Sequence, residues 1–178
     1  MTSGFLASVC YYKSMQLEFP YQIVTFLDKE PEPNEPVYYS SNGWYPQLAL
    51  KRRFKLVQTN EESLVESLKE FFGKRDSTNI ETGALIRPDL MPVRVIEIIN
   101  QAELKDLHTE LIEHLRVMIT SRYPDREGEN YYAHITAEYN DEFVFPVDEY
   151  TNREFPLDNV WLLKDVDDEN SLAHIKIK

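Results

Sequence analysis

The chain has 178 residues, of which 42% are hydrophobic, and a formal net charge of −12. This length predicts one domain, or two small lobes that share a core, large enough to fold without disulfide or metal staples. The acidic balance excludes a protein that coats nucleic acid non-specifically, because contacts to phosphate drive such binding. It does not exclude a small pocket in which a few local cations hold one phosphate.

Cys10 is the single cysteine. No intramolecular disulfide can form, which predicts a reducing compartment and a cytoplasmic location. The first residues, MTSGFLASVCYYK, lack a positively charged start and a long apolar run, so neither a signal peptide nor a membrane span is expected there. No other segment has the length and apolar character of a transmembrane helix.

The first half of the chain begins with a predicted strand at residues 21–27, which is rich in β-branched and aromatic residues. The prolines and charges of residues 28–36 predict an exposed loop. A second strand is expected at residues 44–54, where Pro46 indicates an edge strand or a strand start. The main basic run, KRRFK at residues 51–55, begins in this strand and contrasts with acidic surroundings.

Two amphipathic helices are predicted. The first begins with a capping-box spacing between Thr59 and Glu62 and ends near Gly73. The second begins at Asn100, with Glu103 at the capping-box position. Their apolar stripes are Leu64, Val65, Leu68, Phe71 and Phe72 in the first helix, and Leu104, Leu107, Leu111, Leu115 and Met118 in the second.

Further strands are predicted between and after the helices. They lie at residues 79–87, at residues 93–99, around His134, near residues 142–147, and in a closing hairpin of residues 159–166 and 172–178 with an acidic turn. Helices therefore interleave with strands, which predicts an α+β fold or a mixed α/β sandwich. No linker divides the chain, so one compact unit is expected.

Two of the predicted strands carry a similar pattern. When GWYPQLAL is aligned with NYYAHITA, Gln47 falls on His134 and Ala49 falls on Thr136. The side chains of a strand alternate between its two faces, so each strand would present a short polar row opposite an apolar row. Two pseudo-equivalent strands of this kind would offer their polar rows to a common cleft.

The same alternation predicts which side chains belong to each row. His134 and Thr136 share one face of their strand. Gln47, Lys51 and Arg53 share one face of the other strand, so the two cations are candidates for charge-assisted contacts to phosphate.

This layout resembles the 2H phosphoesterase superfamily, the 2′-5′ RNA ligase-like or cyclic phosphodiesterase fold. That family has two pseudo-symmetric lobes whose antiparallel sheets face a central cleft, with the helices outside and a His-x-Thr/Ser motif in each lobe. The resemblance covers most of the chain from about residue 21. It implies one bilobal domain over residues 1–178, with motifs around residues 44–54 and 131–139. The first motif departs from the family, since Gln47 and Ala49 replace its histidine and threonine.

The resemblance implies roles for individual residues. His134 would be the surviving acid/base group and Thr136 a donor to phosphate oxygens. The implied substrate-binding residues are Gln47, Lys51, Arg53 and Tyr132. A glutamine cannot titrate, and the loss of one acid/base partner typically lowers a rate by about 10²–10⁴. Tyr45, Tyr132 and Glu138 are alternative stand-ins for the missing group, and the sequence does not select among them.

Other polar residues are assigned to structure. Arg52 is expected in a solvated turn, and His108 and His114 belong to the second helix. No two histidines have metal-ligand spacing on one face together with a carboxylate, so no metal site is predicted. No nucleotide-cofactor fingerprint is present, and no cofactor is expected.

Two functions follow from the sequence. The first is a metal-independent phosphodiesterase of weakened or altered activity that takes a small phosphate ester, a cyclic phosphate or a 2′-5′-linked nucleotide or RNA end in its cleft. The second is a catalytically inactive member of the fold that binds a ligand or a protein partner. The loss of both polar groups at Gln47 and Ala49 favours the second.

Overall fold

The structure is a computed structural model, and it describes residues 18–38, 45–89, 91–139, 142–166 and 170–178. Cys10 and Trp44 lie outside the described residues, as does most of the predicted acidic turn at residues 167–171. The described chain is α+β, with two helices and two main antiparallel sheets, as the sequence predicts. No helix in this part of the chain is both long enough and apolar enough to cross a membrane.

Strands and helices follow one another along the chain in an interleaved order. They are β1 Tyr21–Phe26, β2 Pro36–Tyr38, β3 Gln47–Leu56, α1 Glu61–Gly73, β4 Thr78–Ile86, β5 Val95–Ile98, α2 Gln101–Leu115, β6 Ile119–Ser121, β7 His134–Thr136, β8 Glu138–Tyr139, β9 Glu142–Phe143, β10 Glu154–Leu157, β11 Trp161–Asp165 and β12 Asn170–Lys176. Short 3₁₀ turns occupy Pro124–Arg126 and Gly128–Asn130, just before β7.

The strands form a six-stranded sheet in the order β2-β12-β11-β1-β3-β6 and a four-stranded sheet in the order β10-β4-β5-β7. Strands β8 and β9 pair with each other. The main hydrophobic core draws on both sheets and both helices, for example through Phe54, Phe72, Leu111 and Ile135. A smaller cluster contains Val24, Phe26, Val37, Trp161 and Leu163.

Most predicted elements are confirmed, with shifts at their ends. The closing hairpin is present as antiparallel β11 and β12. Three short strands, β2, β6 and β10, are additional to those predicted. The second helix ends at Leu115, so Met118 follows the helix instead of extending its stripe.

The first helix has a different cap from the predicted one. The side chain of Asn60, not that of Thr59, accepts the hydrogen bond from the Ser63 backbone N–H, at 2.9 Å. Gly73 is the last helical residue, and Lys74 is the C-cap. Thr59 and Asn60 are both good N-cap residues, so composition alone could not fix the helix start.

We expect Asn60→Ala to lower the free energy of unfolding by about 1 kcal/mol, because the substitution leaves the Ser63 N–H without its capping oxygen. Thr59→Ala is the matched control and should change it by only a few tenths of a kcal/mol. Urea titration of both variants makes the measurement. A larger loss for Thr59→Ala would contradict the assigned cap.

Strand β3 contains two irregularities in its pairing with β1. Opposed Cα pairs run from Val24 with Ala49 to Ile23 with Lys51, so β3 advances two residues where β1 advances one. A second extra residue lies between Lys51 and Phe54. Such β-bulges interrupt strict alternation and turn side chains to the other face. The first bulge immediately precedes the basic run that the sequence singled out, and the second lies within it.

Candidate functional site

A cavity of about 560 Å³ lies where β3 of the larger sheet approaches β7 of the smaller one. This volume is within the range of small-molecule sites. The cavity is lined by Arg52, Pro88, Asp89, Met91, Arg126, Asn130, Tyr131, Tyr132 and His134. A direct contact crosses between the sheets, because the Arg52 guanidinium bonds to the imidazole of His134.

His134 is held in place by backbone and side-chain contacts. It stands opposite Glu97 in the antiparallel pairing of β5 and β7. The residue before it, Ala133, is clamped by the side-chain amide of Gln101, which donates to its carbonyl at 2.7 Å and accepts from its N–H at 3.0 Å. His134 is 6% exposed. The start of α2 therefore fixes the histidine from behind the strand.

The contacts of the imidazole determine its tautomer. A guanidinium can only donate, so the Nε2 atom of His134 accepts the hydrogen bond from Arg52. The Nδ1 atom then carries the hydrogen and donates to the Tyr132 carbonyl at 2.9 Å. Burial, followed by the positive charge of Arg52, lowers the pKa of His134 to about 3. The imidazole is therefore neutral at pH 7, and its one lone pair is directed at Arg52.

The low pKa of His134 predicts a pH-dependent stability. An unfolded histidine titrates near pH 6.5, so between that pH and about 3 the unfolded state binds a proton that the folded state does not. The free energy of unfolding should fall as the pH is lowered from 7 to 5, above the range in which most carboxylates titrate. We expect His134→Gln to reduce this slope in urea titrations. An equal slope in the His134 variant would contradict the assignment.

Arg52 and Arg126 give the cavity its positive charge. Among the described residues, no carboxylate forms an ion pair with either guanidinium, and Asp89 is the only acidic residue among those that line the cavity. Burial lowers the pKa of Arg52, but a guanidinium remains charged at neutral pH. The cavity thus presents two cations, a neutral histidine and an aromatic wall.

The aromatic wall comes from Tyr131 and Tyr132. The Tyr132 ring stacks on His134 with a centroid separation of 5.6 Å, and it is 37% exposed. Tyr131 is buried, and its hydroxyl donates to the Ala49 carbonyl at 2.9 Å. Of the predicted substrate-binding residues, Tyr132 is the one that lines the cavity with His134.

Comparison with known proteins does not assign the chain to a family. No protein-family model matches the chain, and no curated protein matches it.

In the described part of the chain, no group of three or more histidine, cysteine, aspartate or glutamate residues could hold a metal ion.

Lys51 does not share a face with Gln47, which corrects the face predicted from alternation. The bulge in β3 places it opposite Ile23, whose side chain is in the main core. Lys51 is 2% exposed and forms an ion pair with Glu127. Burial lowers its pKa, against the opposing effect of Glu127. Its ammonium is therefore a buried structural charge next to the cavity, not a ligand for phosphate inside it.

The other predicted residues also lie apart from the cavity wall. Arg53 forms an ion pair with Asp165, which is buried on β11. Gln47 stands opposite Phe26, beside the smaller hydrophobic cluster, and is not among the lining residues. Thr136 pairs with Val95 and is half-buried. The structure thus unites His134 and Tyr132 with Arg52 and Arg126 instead of with the predicted cations.

His108 is a buried residue behind the site. Its Nδ1 donates to the Leu50 carbonyl at 2.7 Å, and its ring stacks on Tyr131 with centroids 3.9 Å apart. Burial lowers its pKa. The sequence carried a signal for this position, since residue 108 lies at helical spacing between Leu104 and Leu111. His108 supports the Tyr131 wall from the α2 side.

Proposed function

We propose that the chain is a 2H phosphoesterase-like protein whose cavity binds a phosphate ester, either a cyclic phosphate or a 2′-5′-linked nucleotide or RNA end. The observation that carries the proposal is the pair of guanidinium groups at Arg52 and Arg126, which line the cavity beside His134 without a described carboxylate partner. Arginine binds phosphate through paired, charge-assisted hydrogen bonds.

The charge balance of the chain supports an anionic ligand. Many described cations are neutralised by ion pairs, including the buried Lys51 and the partly buried Arg53. Arg52 is partly buried, whereas Arg126 is exposed, and a buried charge that lacks a counter-ion is costly. A phosphate between Arg52 and Arg126 would supply that counter-ion, in a protein whose net charge of −12 otherwise repels anions.

The remaining wall suits the organic part of a nucleotide. Pro88 and Met91 provide apolar surface, and the half-exposed Tyr132 ring presents a face to which a base can stack. Asn130 adds an amide that can donate to and accept from base or sugar. This mixture of apolar wall and few polar groups is typical of small-ligand sites.

Binding is better supported than rapid turnover. His134 has a low pKa, so it is a weak base, and its lone pair is engaged by Arg52. A bound phosphate would attract Arg52 and favour protonation of the imidazole. The two-histidine arrangement of the family needs a second acid/base group, and Gln47 is not at the cavity. If the protein is an enzyme, we expect slow hydrolysis in which His134 is the single acid/base group.

The test uses calorimetry and ³¹P NMR with 2′,3′-cyclic AMP, a 2′-5′-linked dinucleotide and inorganic phosphate, in the presence of a chelator. We expect the wild type to bind at least the cyclic nucleotide, and any turnover to disappear in His134→Ala. Absence of binding by all three probes would overturn the proposal. Binding without turnover would indicate a catalytically inactive member of the fold that binds its ligand.

A protein-interaction module is the second candidate. A groove of about 580 Å³ near β9 has apolar lining that includes Leu85, Phe145 and Phe143, and Phe143 is 45% exposed. Exposed apolar surface of this kind is common at protein interfaces. This candidate requires no anion binding at His134, so the same probes separate the two functions.

A further inference from the structure

The segment between β4 and β5 forms one wall of the cavity. Residues 88, 89 and 91 line the cavity, and the Met91 N–H donates to the Pro88 carbonyl at 3.0 Å. An arginine stands at each end of the segment, Arg87 just after β4 and Arg94 just before β5. These two arginines do not line the cavity, but their contacts determine the position of this wall.

Both arginines bind the same buried carboxylate. The Arg87 guanidinium donates to one oxygen of Glu138 at 2.8 Å, and the Arg94 Nε donates to the other oxygen. Glu138 is 1% exposed, whereas the side chains of Arg87 and Arg94 are 55% and 38% exposed. Arg94 also lies 4.2 Å above the ring of Phe143 on β9.

We propose that Glu138 is a positioning residue that fixes Arg87 and Arg94, on either side of the cavity-lining Pro88 and Met91, and thereby places those two residues against the bound ligand. The part of this inference that concerns the ligand rests on the proposed function. The sequence left Glu138 open as a stand-in acid/base group. With both oxygens occupied by arginines, its carboxylate holds the wall instead of reacting.

The physical basis is that the single carboxylate of Glu138 forms ion pairs with both Arg87 and Arg94. A carboxylate removed from water is stabilised only when cations and hydrogen bonds replace the water, and two guanidinium groups do so here. Without Glu138 the two arginines would repel each other and return to solvent. Arg87 and Arg94 would then separate, and Pro88 and Met91 would lose their fixed positions across the cavity from Tyr132.

The inference predicts a selective effect on binding. Inorganic phosphate would contact Arg52 and Arg126, so its affinity should not depend on the positions of Pro88 and Met91. The nucleoside of 2′,3′-cyclic AMP would contact Pro88 and Met91. A general loss of structure would weaken both ligands equally, whereas loss of positioning weakens only the nucleotide.

The experiment compares Glu138→Gln with wild type. We expect hydrogen exchange at the Met91 amide to rise about tenfold and the affinity for 2′,3′-cyclic AMP to fall about tenfold, with phosphate affinity unchanged. Glu138→Asp should restore part of both effects because it keeps the charge. Glu142→Gln, an exposed carboxylate on β9, is the matched control and should change neither.

The outcomes separate this inference from the proposed function. Unchanged exchange at the Met91 amide in Glu138→Gln would overturn it, and so would an equal loss of affinity for phosphate and nucleotide. If the wild type binds neither probe, the proposed function fails, while the exchange rates still decide the anchoring. If Glu138→Gln does not fold, Arg87→Met removes one of the two contacts at an exposed site, and raised exchange at the Met91 amide is then required.

Discussion

Replacing Arg52 with methionine (Arg52→Met) is expected to weaken binding of 2′,3′-cyclic AMP and of inorganic phosphate by about ten- to a hundredfold, since a hydrogen bond to a charged group contributes roughly 1.5–3 kcal/mol. Arg52 is partly buried, lines the cavity, and has no described carboxylate to compete for it. The methionine fills similar space without the charge. Calorimetric titration at fixed ionic strength measures the loss.

A matched control separates a local effect from a change in net charge. Arg75→Met removes the same charge from an arginine that pairs with the exposed Glu110, away from the cavity. It should leave the affinity within about twofold of wild type, because such surface charges are screened. Equal losses in the two variants would mean that the general field of the protein, and not the cavity, attracts the anion.

The Arg52 variant has a second readout in the histidine. Arg52 is one of the causes of the low pKa of His134, after burial. Its removal should raise the pKa of the imidazole and free the Nε2 lone pair. NMR titration of the imidazole follows this shift directly. An unchanged pKa in Arg52→Met would contradict the contact between the two side chains.

Glu127→Gln is expected to lower the free energy of unfolding by about 3 kcal/mol, because removing one partner of a buried ion pair leaves an uncompensated charge. Its partner Lys51 is 2% exposed, and Glu127 itself is 16% exposed. The control Glu70→Gln breaks a pair with Lys74 that lies in solvent, so its effect on stability should be far smaller. Urea titrations of both variants at pH 7 provide the comparison.

The cost of Glu127→Gln should depend on pH. Burial lowers the pKa of Lys51 and Glu127 raises it, so loss of Glu127 lowers that pKa further. Above the folded pKa of the lysine, the unfolded state binds the proton that the folded state has released, and stability rises with pH. The difference between variant and wild type should therefore narrow as the pH rises from about 7 toward the ordinary lysine pKa of about 10.4. A constant difference would show that Lys51 is not the affected charge.

Local pattern was sufficient to predict the two faces of β7. Alternation directs Ile135 to the main core and His134 away from it, as the sequence indicates. This feature depends only on residues close together in the chain. Helical spacing could have marked position 108 as buried, but the predicted stripe contained Leu107 in its place.

The first half of the site could not be predicted in the same way. The bulges in β3 direct Lys51 to the core and place Arg52 beside His134. Strict alternation therefore assigned the side chains of the basic run to the wrong faces of the strand. A bulge is set by the register against β1 and not by the residues of β3 alone. Arg126 reaches the cavity from the turn at Pro124–Arg126, whose position depends on contacts that no local pattern encodes.

Because the pairing of β3 with β1 is irregular, substitutions and deletions in this strand should have different effects on the fold. A substitution between Ala49 and Phe54 alters one contact, for example the ion pair of Lys51 with Glu127. Deletion of one residue there removes a bulge and restores strict alternation over part of the strand. Leu50, the extra residue of the first bulge, is itself buried in the main core, so its deletion would leave a cavity there. Related chains should accordingly vary in the side chains of this segment more freely than in its number of residues.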